Sequence, residues 1–387
     1  MSKWQAKRLD EIALKIGDGI HATPKYSEHS SYKFINGNNI TQGRVVIVEN
    51  TKSVDETEFN KHKVSLDDST ILMSINGTIG SLAYYRGEKV VLGKSVAYIN
   101  CSESVLRPYL FAFLSSNQAQ KHFEYELTGS TIRNLSLKTI RETQVELPDV
   151  DEQRRIVAVL EIWDEYIEKL NNKLELKNVE KTGLMRELMT GKKRLDGFTT
   201  DWYKHEIGQL LSYEQPGPYI VNDTDYKDNG TPVLTANKSF ILGYTHEPSG
   251  VYDRVDNGVI IFDDFTMSSK FVDFDFKVKS SAIKILRTID SEVNIKFIFE
   301  RMQLISTTIG EHKRNYISEY QYNIVGLPSL AEQDAIAEIS NILDEEIRLL
   351  KSKMCMISNQ KIYLLNNLLT GTIRTPENLT PKEPTNA

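Results

Sequence analysis

Apolar residues keep a fixed beat in two stretches of the chain. Ile156, Leu160, Trp163, Ile167, Leu170 and Leu174 are spaced alternately four and three apart, and the count continues through Lys177, Lys181, Leu184 and Leu188. A second series keeps the same beat: Ile336, Ser340, Leu343, Ile347, Leu350, Met354, Ile357, Lys361, Leu364 and Leu368. Such spacing lays one residue in every three or four along a single helical stripe, and sustained over several heptads it is the seam of a coiled coil. Two long helices are therefore predicted, over about 150–190 and 330–370, each near 60 Å at a rise of about 1.5 Å per residue. Pro148 and Pro328 precede them, and Asp149 or Asp151, and Ser329, can cap their first N–H groups. Gly191 and Gly371, each after a threonine, can take the left-handed conformation that ends a helix.

The two series are copies of one another. Residues 147–195 align with 327–375 at a constant shift of 180 without a gap, and 17 of the 49 positions are identical. Average composition would give about three. A seam this long cannot be buried by one helix alone, and two copies of one seam related by a pseudo-twofold would lie antiparallel. Lys181 and Lys361 share one seam position, where each can snorkel to the edge or restrict pairing to one register.

Ahead of each helix the pattern changes to short β-branched and aromatic runs broken by Gly, Asn and Asp, and this too is duplicated. DSTILMSINGTIGSLAYY (68–85) resembles NGVIIFDDFTMSSKFVDF (257–274), and VVLGKSVAYINC (90–101) resembles KVKSSAIKILRT (277–288). LRPYLFAFLSS (106–116) resembles VNIKFIFERMQ (293–303), each a predicted helix. The expected fold is α/β: two similar mixed α/β domains separated by two long antiparallel coiled-coil helices, with a pseudo-twofold internal repeat. The expected boundaries are 1–146 and 196–326 for the domains, 147–195 and 327–375 for the helical segments, and 376–387 for a flexible tail.

Composition narrows the class. Of 387 residues, 40% are apolar and 26% charged, ordinary for a globular protein. No apolar run approaches the roughly 18 residues of a membrane helix and no apolar secretory core follows the N-terminus, so a soluble cytoplasmic protein without a membrane partner is expected. Cys101 and Cys355 have no CxxC partner, which fits a reducing compartment. The net charge of −6 is spread as +2 over 1–148, −1 over 149–196, −5 over 197–326 and −2 over 327–387. No segment is a polycation, so any nucleic-acid role needs a local basic face or basic partners.

Catalytic signatures are missing. There is no GxxxxGK[ST], no GxGxxG and no HExxH, and NGTIGS (76–81) reads as a hairpin turn. Asp263 and Asp264 are the best paired carboxylates, but neighbours on a strand face opposite ways, and the first copy has Ser74 and Ile75 there. DFDFKVK (273–279) reads as a β-strand rather than a nuclease cluster. A self-contained enzyme is not expected, and no metal or cofactor is assigned to the chain.

The duplicated order of LPxxxEQxxI at 147–156 and 327–336, long helices ending in LMTGKKRLDGF and LLTGTIRT, and Trp4 and Trp202 opening the two blocks resembles the DNA specificity (S) subunit of type I restriction-modification systems. The resemblance spans about residues 3–375. It implies a non-catalytic chain whose two target recognition domains each read half of a bipartite, asymmetric site in double-stranded DNA. It implies that the helices set the spacer and dock two modification subunits, which bind S-adenosylmethionine and methylate adenine at N6. Two restriction subunits using ATP and Mg²⁺ for translocation and cleavage would complete the complex. A competing expectation is a scaffold that pairs methyltransferase subunits without reading DNA. If the resemblance holds, the reading loops are expected at 36–39 and 74–81, and at 235–238 and 263–270. Asn pairs with adenine and Arg or Lys with guanine or phosphate, so Asn38, Lys94 and Arg133 are candidates in the first block, and Asn237, Lys270 and Arg314 in the second.

Overall fold

The computed structural model describes residues 4–127, 133–237, 239–253, 257–305 and 315–380. The chain divides into two compact units, Met1–Leu170 with Lys353–Ala387, and Asn171–Ser352. Each unit holds one globular block and one end of each long helix.

The two long helices are where the apolar beat puts them, Val150–Met189 (the central helix) and Leu330–Leu369 (the distal helix). In the first unit, Ile156, Leu160 and Leu170 are buried, Trp163 and Ile167 half-buried, and off-stripe Ile162 is exposed. Here the start of the central helix runs antiparallel to the end of the distal one. Arg374 pairs with Glu152, Lys361 with Asp164, and the Lys353 ammonium lies over the Tyr166 ring, so numbers rise on one partner as they fall on the other. The second unit repeats the arrangement with the other two ends. Arg194 pairs with Glu332, Lys181 with Asp344 and Lys177 with Glu346, while Leu343 and Ile347 are buried and Leu174 and Leu350 half-buried on the stripe. Met354 and Ile357, in the first unit, are half-buried on the same stripe.

Both helices stop by one device. The Thr190 and Thr370 hydroxyls donate to the carbonyls of Arg186 and Asn366 four residues back, and Gly191 and Gly371 sit at φ +68° and +69°. The amides of Lys193 and Ile373 then close onto the carbonyls of Glu187 and Asn367, which satisfies the orphan acceptors of the last turn. At the start, Asp149 rather than Asp151 caps the central helix, through Glu152 N–H at 2.8 Å. Asp151 pairs with Arg154, and Ser329 receives the Glu332 and Gln333 amides on its backbone carbonyl.

Each globular block is mixed α/β. In the first, an antiparallel sheet runs Ala13–Asp18, Val96–Cys101, Thr70–Ser74, Leu82–Tyr84; in the second the same order is Leu211–Glu214, Ile283–Thr288, Val259–Asp263, Ser269–Val272. A second small sheet has Val90–Leu92 parallel to Tyr32–Ile35 in one block and Lys277–Val278 parallel to Thr231–Leu234 in the other. A third pairs Gln5–Arg8 with Gln144–Leu147, and Tyr203–Glu206 with Ile324–Leu327. The predicted helices after the main sheet are Arg107–Ser115 and Ile295–Met302. Glu56–His62 and Asn117–Tyr125, both short helices of the first block, were not expected. Only the end of DFDFKVK is strand: Lys277–Val278, with Lys277 buried against Glu247 at 2.8 Å and the Ser249 carbonyl at 2.7 Å.

Candidate nucleic-acid interface

The glutamate-glutamine pair of LPxxxEQ anchors each block to its helices. In the first unit Glu152, buried, accepts from Arg374 at 2.6 Å and from the Trp4 indole at 3.0 Å. In the second unit Glu332, also buried, accepts from Arg194 at 2.7 Å and from the Trp202 indole at 3.2 Å. The neighbouring glutamines are equally matched. Gln153 accepts from Leu106 N–H and donates to the carbonyls of Ser104 and Pro148; Gln333 accepts from Asn294 N–H and donates to those of Glu292 and Pro328. A buried carboxylate and carboxamide with all these partners fix the angle at which a block sits on its helix ends. They explain why the sequence repeats Glu-Gln and Trp, a role the sequence alone does not reveal, because Glu152 and Arg374 are far apart in the chain.

With the anchors at one end, the opposite strand ends carry the loops. In the first block the Gly37–Asn39 turn is tied to the loop after Val90–Leu92: Gly37 N–H donates to Ser95 Oγ at 2.9 Å, which donates to Asn36 Oδ1 at 3.1 Å. Ser74 Oγ donates to the Asn76 carbonyl at 3.2 Å, and Asn76 forms a backbone bridge with Asn134. The loops bearing Asn38, Lys94 and Arg133 therefore converge, and all three residues are exposed. Neither Lys94 nor Arg133 forms an ion pair among the described residues. Asn36, Ser95 and Asn76 stand in the same cluster; only their Asn/Ser-rich turn composition marks them in the sequence.

The second block builds its loop end differently on the same strands. Asp263 and Asp264 hold turns: Asp263 accepts from the amides of Phe265 and Thr266, while Asp264 accepts from Tyr316 N–H and pairs with Lys284 at 3.1 Å. They share no site: Asp263 ends its strand and Asp264 lies in the turn that follows. Asn237 is exposed and accepts from Thr266 Oγ1 at 3.0 Å. Lys270 is half-buried on an edge strand, and Asn237 and Lys270 line one cavity of about 240 Å³. Arg314 lies outside the described residues.

At the helix junction the blocks also differ. In the second unit Lys181 and Lys296 face Glu300 and Asp344 at 2.6–3.1 Å, and Ser340 Oγ donates to Glu300 at 2.6 Å. Burial pushes the Asp344 carboxyl up, but hydrogen bonds from Lys181 and Lys296 outweigh it and hold it below the ordinary range. Both seam lysines are ion-paired: Lys181 meets two acids, and Lys361 reaches the exposed Asp164 at the edge of the stripe.

Residues 1–178 match the family model described as the type I restriction modification DNA specificity domain. The EcoR124I/EcoR124II specificity subunit of a type I restriction enzyme of Escherichia coli is 40% identical over 200 residues, 48% of each chain. Over these spans the chain is similar to the specificity subunits of type I restriction-modification systems. It spans about half the length of the Escherichia coli subunit. The specificity subunit of the MjaVIII type I restriction enzyme of Methanocaldococcus jannaschii is 22% identical over 81% of each chain. The fold is that of the type I restriction-modification system S subunit from M. genitalium, with a TM-score of 0.56, 16% identity, and 95% of this chain and 96% of that one covered. No helix among the described residues is long and apolar enough to cross a membrane.

Proposed function

We propose that the chain directs adenine-N6 methylation by reading a bipartite, asymmetric site in double-stranded DNA, residues 1–146 reading one half and 196–326 the other. One observation carries this reading. The same strand ends lead into unlike solvent-facing side chains: Asn76 and Lys94 in the first block, against Phe265 and Ser281 at the matching places in the second. Different groups on one scaffold offer base edges different donors and acceptors. Asn38, Lys94, Arg133, Asn237, Lys270 and Arg314 are proposed contacts. The helical segments 147–195 and 327–375 are proposed to set the spacer and to present two like surfaces to two modification subunits, which bring S-adenosylmethionine. Two restriction subunits, using ATP and Mg²⁺, complete the proposed complex, in the cytoplasm.

Long-read methylation mapping of DNA from cells carrying this gene and its partner methyltransferase tests the proposal. An interrupted, asymmetric adenine motif is expected. An assembled complex that leaves DNA unmethylated would instead make the chain a scaffold that pairs methyltransferase subunits.

A further inference from the structure

The short helix after the main sheet starts at equivalent places in the two blocks, because Gln153 and Gln333 hold the amides of Leu106 and Asn294 alike, each at 2.8 Å. Seven residues on stand Phe113 and Arg301. Phe113 is buried in the first block's core. Arg301 puts a guanidinium at that place in the second block, where it is half-buried. Its Nε is inaccessible and has no hydrogen-bond partner. The side chain makes no ion pair among the described residues, and burial alone draws its pKa down.

Arg301 lines a cavity of about 360 Å³ with Arg194, Lys204, the Trp202 ring and Gly191. Arg194 is committed to Glu332. Lys204 is exposed and without an ion pair, and the one acid in the lining, Asp201, pairs with neither cation. The Arg301 guanidinium is half-buried on the cavity wall, and the planar fork of its two terminal amino groups matches an oxyanion. The cavity holds far more than one water, which occupies about 30 Å³ in the liquid. None of its residues belongs to the turns at 235–240, 263–268 or 280–282.

We propose that this cavity is a phosphate-binding site, with Arg301 as the fork and Lys204 as the second charge. The proposal does not depend on DNA reading. The full chain, in chloride buffer at constant ionic strength, is titrated with inorganic phosphate while the ³¹P line width and the melting temperature are followed. Saturable broadening and a saturable rise in melting temperature are expected. Arg301→Phe grafts the first block's residue; it should fold, weaken phosphate binding about tenfold or more, the scale of one charged hydrogen bond, and lose the phosphate-dependent rise. Arg301→Met provides the same comparison if the phenylalanine overpacks, and Lys204→Ala should weaken binding several-fold with the fold unchanged. A short DNA duplex then separates the sources: displacement of bound phosphate assigns the site to a backbone phosphate, and retention to a free one. Absence of saturable binding to the parent chain, or equal binding by the Arg301 variants, overturns the proposal.

Discussion

Glu300 shows how much a single side chain decides in this protein. One of its oxygens accepts from Lys181, Lys296 and Ser340, and the carboxylate is almost inaccessible. The first block has Ala112 and Leu160 at the matching places and manages with apolar contact. Removing one member of a buried ion network leaves the others uncompensated, at about 3–5 kcal/mol, whereas replacing the whole set by apolar groups is often neutral. Glu300→Ala should therefore lower the melting temperature of the second unit sharply. Combining it with Ser340→Leu and Lys296→Met should restore most of the loss; calorimetry of the parent and the two variants checks the order. Glu247 gives a pH signature. The Lys277 hydrogen bond, with backbone N–H groups of Asp223 and Asn222, holds its carboxyl down at about 2, from an ordinary 4.5. Its pKa is lower in the folded state, so its contribution is full above about 4.5 and is lost as pH falls through about 2. The melting-temperature gap between the parent and Glu247→Gln should be constant near neutrality and shrink steadily below pH about 4.5. A gap that widened on acidification would contradict the sign.

Among the elements, the long helices are the most legible. Their stripe could be counted residue by residue because burial on a helix returns every three to four positions, and the exposed apolar residues Ile162 and Ile342 fall off the stripe in both copies. Leu170 is buried and Leu350 half-buried, each on the stripe. Leu170→Asp and Leu350→Asp together put charges where water is excluded, with several kcal/mol at stake. Loss of helicity by circular dichroism and failed assembly with the modification subunits are expected, and Leu170→Asp alone should be worse than Leu350→Asp alone. Normal assembly and methylation by the double variant would remove the helices from the proposed role. A four-residue helical insertion after Gly191 adds about 6 Å. Because B-DNA advances about 3.4 Å per base pair, the methylated motif should be re-spaced by one or two pairs with both halves unchanged. The short strands were legible mainly through duplication. The helices Glu56–His62 and Asn117–Tyr125 were not, since neither has a repeat partner or a long apolar period to announce it.

At the scale of the whole molecule, two blocks on one plan predict modular behaviour. If the proposed function holds, exchanging residues 4–146 for the equivalent block of a type I specificity subunit should alter one half of the methylated motif, and exchanging 202–326 the other half. Sequencing of the methylated DNA reads the outcome, and a single exchange that changed both halves would end the modular reading. The sequence by itself determined the repeat, the two helices with their starts and stops, and the α/β class of each block. All of these are written in local periods of two, three and four residues, or in likeness between segments 180 positions apart. Tertiary structure alone decided what the polar residues do. Glu152 meets Arg374 across 222 positions, Lys181 meets Asp344 across 163, and the turns at Asn36, Asn76 and Ser95 come together from three separate strand ends. A hydrophobic stripe repeats because water drives it inside wherever it occurs, but a polar partner is specified by one position in space, and no local period encodes it.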